Sequence, residues 1–195
     1  MILDKITIKN DSGMIVEATA PVIISASRST DIPAFYAKWF FNRLTKGYCV
    51  WYNPFNQQPM YISFKNCKVI VFWTKNPEPM LSRLDELVSY DYYFQFTLTG
   101  YGKDMESNVP HKKEKMIPIF QELSKKIGMK KVIWRYDPII FTKKYTPQYH
   151  LKAFEQIAAA LKGYTGKCVI SFVDVYAKNK KNMELIDSYY IDKNE

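Results

Sequence analysis

The chain has 195 residues and a mass of 23.0 kDa, enough for one domain with a full core, and its 47% apolar and 24% charged residues are ordinary for a globular protein. A net charge of +9 and a pI near 9.3 favour nucleic acid, phosphorylated ligands or an anionic surface. Yet the lysines are spread, and no basic stripe is interleaved with aromatics. No apolar stretch approaches the roughly 20 residues needed to span a bilayer, and Met1–Lys5 lacks the apolar core of a signal peptide, so a cytoplasmic protein is expected.

In chain order, Lys5–Lys9 and Met14–Glu17 flank the turn residues Asn10-Asp11-Ser12-Gly13, which predicts a small N-terminal hairpin. A buried strand, Val22–Ser25, leads to Ser27-Arg28-Ser29-Thr30-Asp31. The helix after it opens near Pro33, carries Phe35, Trp39, Phe40 and Leu44 at helical spacing, and ends at Gly47. Cys49–Tyr52 and Met60–Phe64 read as extended around a turn at Asn53-Pro54-Phe55-Asn56. Strand–helix alternation then becomes regular. Strand Val69–Trp73 precedes a helix opened by Asn76 and Pro77, with Met80, Leu84, Leu87 and Val88 on one face. Strand Tyr92–Leu98 precedes a long loop and a helix carrying Met116, Phe120, Leu123 and Ile127, which Pro118 starts or kinks. Strand Lys131–Arg135 precedes a helix capped by Thr146 and Pro147, with Leu151, Phe154, Ala158 and Leu161 inward. Strand Lys167–Val173 precedes a last, polar helix from about Asn179 to Ser188.

This alternation calls for an α/β fold with a parallel sheet. An open doubly wound sheet and part of a (β/α) barrel both fit. A partial TIM-barrel-like sheet in a single domain, residues 1–195, is the preferred reading, because a complete barrel takes about 250 residues. No glycine-rich phosphate loop follows any strand, which removes the main support for dinucleotide and P-loop readings.

Five strand ends carrying polar residues would gather on one rim, where such folds place ligands. Arg28 is suited to bidentate capture of a carboxylate or phosphate. Asp31 reads equally as a helix cap. Lys75 lies at a strand end, and Asn76 before Pro77 reads as an N-cap. Gln95, Thr97 and Thr99 alternate, so they share one face. Arg135 and Asp137 are also two apart. They form a structural ion bridge, or Asp137 orients Arg135 towards a ligand or acts as general base. Ser171 and Asp174 close the fifth strand, with Asp174 as a second acid. His111 and His150 are the only histidines and fall in helices or loops, which argues against a metal-dependent hydrolase and a Ser–His–Asp device. Cys49, Cys67 and Cys168 lack metal-ligand spacing and sit in or beside apolar runs, as small hydrophobes do.

The runs from Ser25 to Tyr36, Asn53 to Asn56, Phe72 to Pro77, Gln95 to Gly102, Trp134 to Pro138 and Ser171 to Asp174 resemble those of a bacterial family catalogued as domain of unknown function 1848. The resemblance covers residues 20 to 180. It implies a radical S-adenosylmethionine-like barrel whose fuller members end in a cysteine cluster reminiscent of iron–sulfur ligands. This chain reaches Glu195 without such a cluster. It is therefore expected to be a truncated, split or naturally short form, with no cofactor of its own and no independent redox chemistry. Iron–sulfur cluster and S-adenosylmethionine are implied for the fuller members alone.

The candidate set is Asp31, Asp137 and Asp174 for catalysis. For ligand binding it is Ser27, Arg28, Asn53, Asn56, Thr74, Lys75, Asn76, Gln95, Thr97, Thr99, Arg135 and Ser171, with no metal ligand. The expected ligand is an anionic small molecule or nucleotide at the rim. The alternatives are a nucleic-acid-binding module, supported by the charge and by Trp73, Tyr101, Trp134 and Tyr136, and an inactive remnant whose partner chain completes the barrel.

Overall fold

The computed structural model describes residues 4–27 and 30–173. Arg28, Asp174 and the expected last helix lie outside the described residues. The chain packs as two compact units, Met1–Phe94 and Gln95–Glu195.

In the first unit β1 (Lys5–Lys9) folds back on β2 (Ile15–Thr19) as the expected antiparallel hairpin. Asn10 makes the turn. Its side-chain oxygen accepts from the N–H groups of Ser12 and Met14, both at 3.0 Å, while Gly13 takes φ +80°. β4 (Tyr48–Tyr52) and β5 (Pro59–Ser63) form a second antiparallel pair, and β5 runs parallel to β2. The two pairs thus join in one sheet of order β1-β2-β5-β4, a union that local periodicity does not signal.

The other sheet is the parallel one that the alternation calls for. It holds β3 (Ile23–Ala26), β6 (Val69–Thr74), β7 (Asp91–Thr97), β8 (Val132–Ile139) and β9 (Cys168–Phe172), neighbours in that order. It is open, a partial barrel-like sheet of five strands.

The helices depart from the expected stripes in definite ways. The helix after Pro33 is two: α1 (Ile32–Phe35) and α2 (Ala37–Lys46), broken at Tyr36 with φ −130°. The break turns Phe40 and Phe41 inward and leaves Phe35 and Trp39 exposed. The segment after Pro77 is a 3₁₀ helix, Glu78–Leu87, which buries Met80, Leu81, Leu84 and Leu87 but leaves Val88 exposed.

In the second unit, Pro118 sits in the first turn of α3 (Ile117–Ile127), where its missing N–H costs nothing, after a π-helical turn at Lys112–Met116. α4 (Pro147–Leu161) starts at Thr146, whose hydroxyl accepts from the Tyr149 N–H at 3.2 Å. It buries His150, Ile157 and Leu161, while Leu151 is 72% exposed, so the buried face is rotated from the expected one.

Aromatic stacking fixes each core. In the first unit Phe72 stacks on Phe94 with centroids 4.9 Å apart and meets Phe40 edge-on at 5.3 Å. In the second, Phe96 stacks on Phe120 at 4.9 Å and Trp134 on Phe154 at 4.7 Å, which seats α3 and α4 on the sheet. Phe72 is fully buried at the centre of its cluster. Phe72→Ala is expected to cost about 3–5 kcal/mol of unfolding free energy, measured by urea denaturation.

Candidate functional site

At the strand ends of the first unit, Asp31 works as a clamp. One carboxylate oxygen accepts from the Ala34 N–H at 3.0 Å, capping α1, and the other accepts from the Lys75 N–H at 2.7 Å. Both oxygens are thereby held on backbone, so the helix-cap reading describes the observed geometry. The neighbouring polar residues also serve the chain. Thr74 is buried and accepts from the Asn76 N–H at 2.9 Å, and Asn76 accepts from the Glu78 N–H at 3.1 Å. Ser27 accepts from the Thr30 N–H at 3.2 Å. Trp73 donates its indole N–H to the Ser25 hydroxyl at 3.1 Å. Asn53 and Asn56 stand apart, in the β4–β5 turn, where they accept from the N–H groups of Phe55 and Gln58 at 2.9 and 3.1 Å.

The second unit gathers a different set. Alternation along β8 places Trp134 and Tyr136 inward, against α4, and Arg135 and Asp137 on the opposite face. Arg135 pairs with Asp137 through one guanidinium nitrogen and donates to the Gln95 side-chain oxygen at 3.4 Å through another. Ser171 on β9 donates to the second Asp137 oxygen at 3.3 Å. The Arg135 and Asp137 side chains are only 17% and 15% exposed. Gln95, Arg135, Asp137 and Ser171 therefore form one hydrogen-bonded row across three adjacent strands, with Thr97 half-buried on β7.

Thr99 does not join that row. β7 ends at Thr97, and Thr99 lies beyond it, buried, donating to Glu106 at 2.9 Å and accepting from Lys112 at 3.3 Å. Glu106 and Lys112 form a largely buried ion pair that the sequence does not announce. Its members are 6 apart, Glu106 in the loop after β7 and Lys112 opening the π-helical turn, and only the pairing of opposite charges hints at it.

This loop is fastened to β8 and α4 by side chains that bond to backbone. The Trp134 indole donates to the Leu98 carbonyl at 2.8 Å, and the Tyr149 hydroxyl donates to the Gly100 carbonyl at 2.8 Å. The Tyr101 hydroxyl donates to the Pro138 carbonyl at 2.9 Å and accepts from the Ile140 N–H at 2.7 Å. Tyr145 accepts from the Gly102 N–H at 2.9 Å and donates to Asp104 at 2.6 Å. Gly100 makes the close approach to α4 feasible, since a Cβ there would stand 2.6 Å from the Ala153 Cβ and 3.0 Å from the Tyr136 hydroxyl.

His150 completes the fastening. A carbonyl can only accept, so the Ile140 carbonyl at 3.2 Å requires a proton on Nε2. In the neutral ring Nδ1 is then the acceptor for the Tyr136 hydroxyl at 2.9 Å. Burial pushes the imidazole below its ordinary value, against the opposing pull of the Ile140 carbonyl. Burial likewise pushes the Tyr136 hydroxyl up to about 12, although the Gly100 backbone hydrogen bond opposes the shift.

The three cysteines stand in separate places along the chain. Cys49 lies in β4, Cys67 before β6 and Cys168 in β9, and burial pushes all three thiols up, Cys49 to about 11. Among the described residues no group of three or more His, Cys, Asp or Glu could hold a metal ion. No helix among the described residues is long and apolar enough to cross a membrane.

Two predictions follow from this geometry. Asp31→Ala removes a cap and strands the Lys75 N–H, and is expected to cost about 1–3 kcal/mol in urea denaturation. For His150, the unfolded ring takes a proton near 6.5 whereas the folded ring resists it. Its contribution to stability is therefore complete above that pH and is lost as pH falls towards the lower folded value. Denaturation at successive pH values from 7.5 to 5.5 is expected to show this loss, and His150→Gln to flatten it.

No curated protein matches the chain, and no solved structure does. A family model described as domain of unknown function matches residues 23–195, which takes in every strand of the parallel sheet. The chain therefore belongs to the family described as Domain of unknown function (DUF1848).

Proposed function

We propose that this chain is a ligand-binding α/β domain that takes an anionic small molecule, a nucleotide included, at the Arg135 row of its second unit. The observation that carries this reading is the Arg135–Asp137 pair itself, held largely out of solvent on the sheet face opposite α4. A buried pair of this kind is a weak source of stability, because desolvation offsets most of its Coulombic attraction. A guanidinium oriented by the Gln95 carboxamide and already carrying a carboxylate is, in contrast, a well-placed anion receptor. The strand ends also suit the role, since parallel α/β sheets bind ligands beyond the carboxyl ends of their strands.

Arg135 supplies the charge in this proposal, Gln95 fixes the guanidinium plane, and Thr97 and Ser171 supply hydroxyl groups. Asp31, Thr74, Lys75 and Asn76 belong to the first unit and have no part in the proposal, given their backbone bonds. The proposal assigns no reaction, and the likeness to radical S-adenosylmethionine enzymes, like a cytoplasmic setting, belongs to it only as context.

Isothermal titration of the full chain with inorganic phosphate, malonate and ATP tests it. At least one of the three is expected to bind, and Arg135→Gln to weaken that binding by about 10- to 100-fold, the worth of a charge-assisted hydrogen bond. Equal binding by a folded Arg135→Gln variant would place the ligand elsewhere.

A further inference from the structure

We infer that Asp137 occupies the seat of the ligand's own carboxylate, so that the site takes a small organic acid which displaces Asp137 from Arg135. This rests on the anion-binding reading above and narrows it to a chemical class.

The Asp137 carboxylate is held as a bound carboxylate would be. One oxygen lies on the Arg135 guanidinium and the other accepts from the Ser171 hydroxyl at 3.3 Å. Two donors, from two adjacent strands, thus address the two oxygens of one planar group. Gln95 receives a different guanidinium nitrogen, at 3.4 Å, and so holds the receptor still whichever carboxylate it faces. The resident and the incoming group have the same charge and shape. They compete for the same donors, and the exchange leaves the number of ion pairs unchanged.

The backbone at Asp137 suits such an exchange. Register with β9 is regular through Tyr136 and resumes, shifted, at Ile139. Asp137 and Pro138 fall within that irregularity, and Pro138 has no N–H to give to a ladder. The segment is therefore tied less tightly by backbone hydrogen bonds than the residues on either side. Ser171, the second donor, is exposed on β9, so the seat can be reached from solvent.

Asp137 then sets a threshold. A ligand binds only if its carboxylate outcompetes an attached one, which discriminates against weak and monodentate anions. Removing the resident charge should strengthen binding, the opposite of what loss of a positioning residue would do.

The test titrates malonate and inorganic phosphate into the wild-type full chain and into Asp137→Asn, Asp137→Ala and Arg135→Gln variants, with folding checked by circular dichroism. Malonate is expected to bind at least 10-fold more tightly to Asp137→Asn than to the wild type. It should not bind Arg135→Gln measurably. Asp137→Ala empties the seat and is expected to tighten binding in the same direction, which keeps the test open if the asparagine variant does not fold. Weaker malonate binding in both Asp137 variants would overturn the inference and make Asp137 a brace for Arg135, with the anion-binding reading intact. Tighter binding of phosphate than of malonate would overturn the carboxylate class. Absence of binding by every folded form, with ATP also silent, would overturn the anion-binding reading itself.

Discussion

Everything at the strand ends of the second unit depends on the two-residue period of β8. Within one short run, Trp134 and Tyr136 must lie under α4, and this commits Arg135 and Asp137 to the other face. Slipping by one residue would bring the ion pair into an aromatic core and expose two large rings. The inner side is fastened twice over, by stacking of Trp134 on Phe154 and by the bond between Tyr136 and His150. The charged side inherits its precision from that packing. Arg135 is well placed because its neighbours in sequence cannot move.

The same unit distributes its polar groups by a consistent rule. Backbone groups of the loop after β7 find partners in tyrosine, tryptophan and lysine side chains, and the buried Glu106 carboxylate is matched by Lys112 and Thr99. A loop with so few ladder bonds of its own would otherwise leave polar backbone unsatisfied in a buried place. Aromatic residues with a polar tip meet both needs at once, filling volume while presenting a hydroxyl or indole N–H. Four of the 15 tyrosines, Tyr101, Tyr136, Tyr145 and Tyr149, have such a local role here.

Several of these features are legible in the sequence, and the reasons for the rest are physical. The parallel strands are visible because each is a short apolar run, and α4 because Thr146 and Pro147 announce its start. That Arg135 and Asp137 share a face follows from spacing, and their pairing is one of the arrangements it allows. What spacing does not carry is the phase of a helix against its sheet, so Leu151 reads as core and is exposed, while His150, outside the expected inward stripe, is buried. Thr99 misleads for a related reason, since alternation holds only while the strand lasts and β7 stops at Thr97. Joining two hairpins into one sheet is a long-range event, and no window of neighbouring residues encodes it. Asp31 illustrates the limit of residue type, because a carboxylate that caps a helix and one that transfers a proton look alike until their partners are seen.

Gly100 carries a consequence for how this family varies. Its hydrogen occupies a gap that α4 leaves no wider than a van der Waals contact, bounded by the methyl group of Ala153 and the Tyr136 hydroxyl. Sequence drift at the three positions is therefore not independent. A side chain at 100 requires α4 to lift from the sheet, and a larger residue at 153 does the same from the other direction. Either change would take His150 away from Tyr136 and loosen the strand that orients Arg135. Joint restriction of positions 100, 136 and 153 across relatives would then be the evolutionary trace of a helix–strand distance.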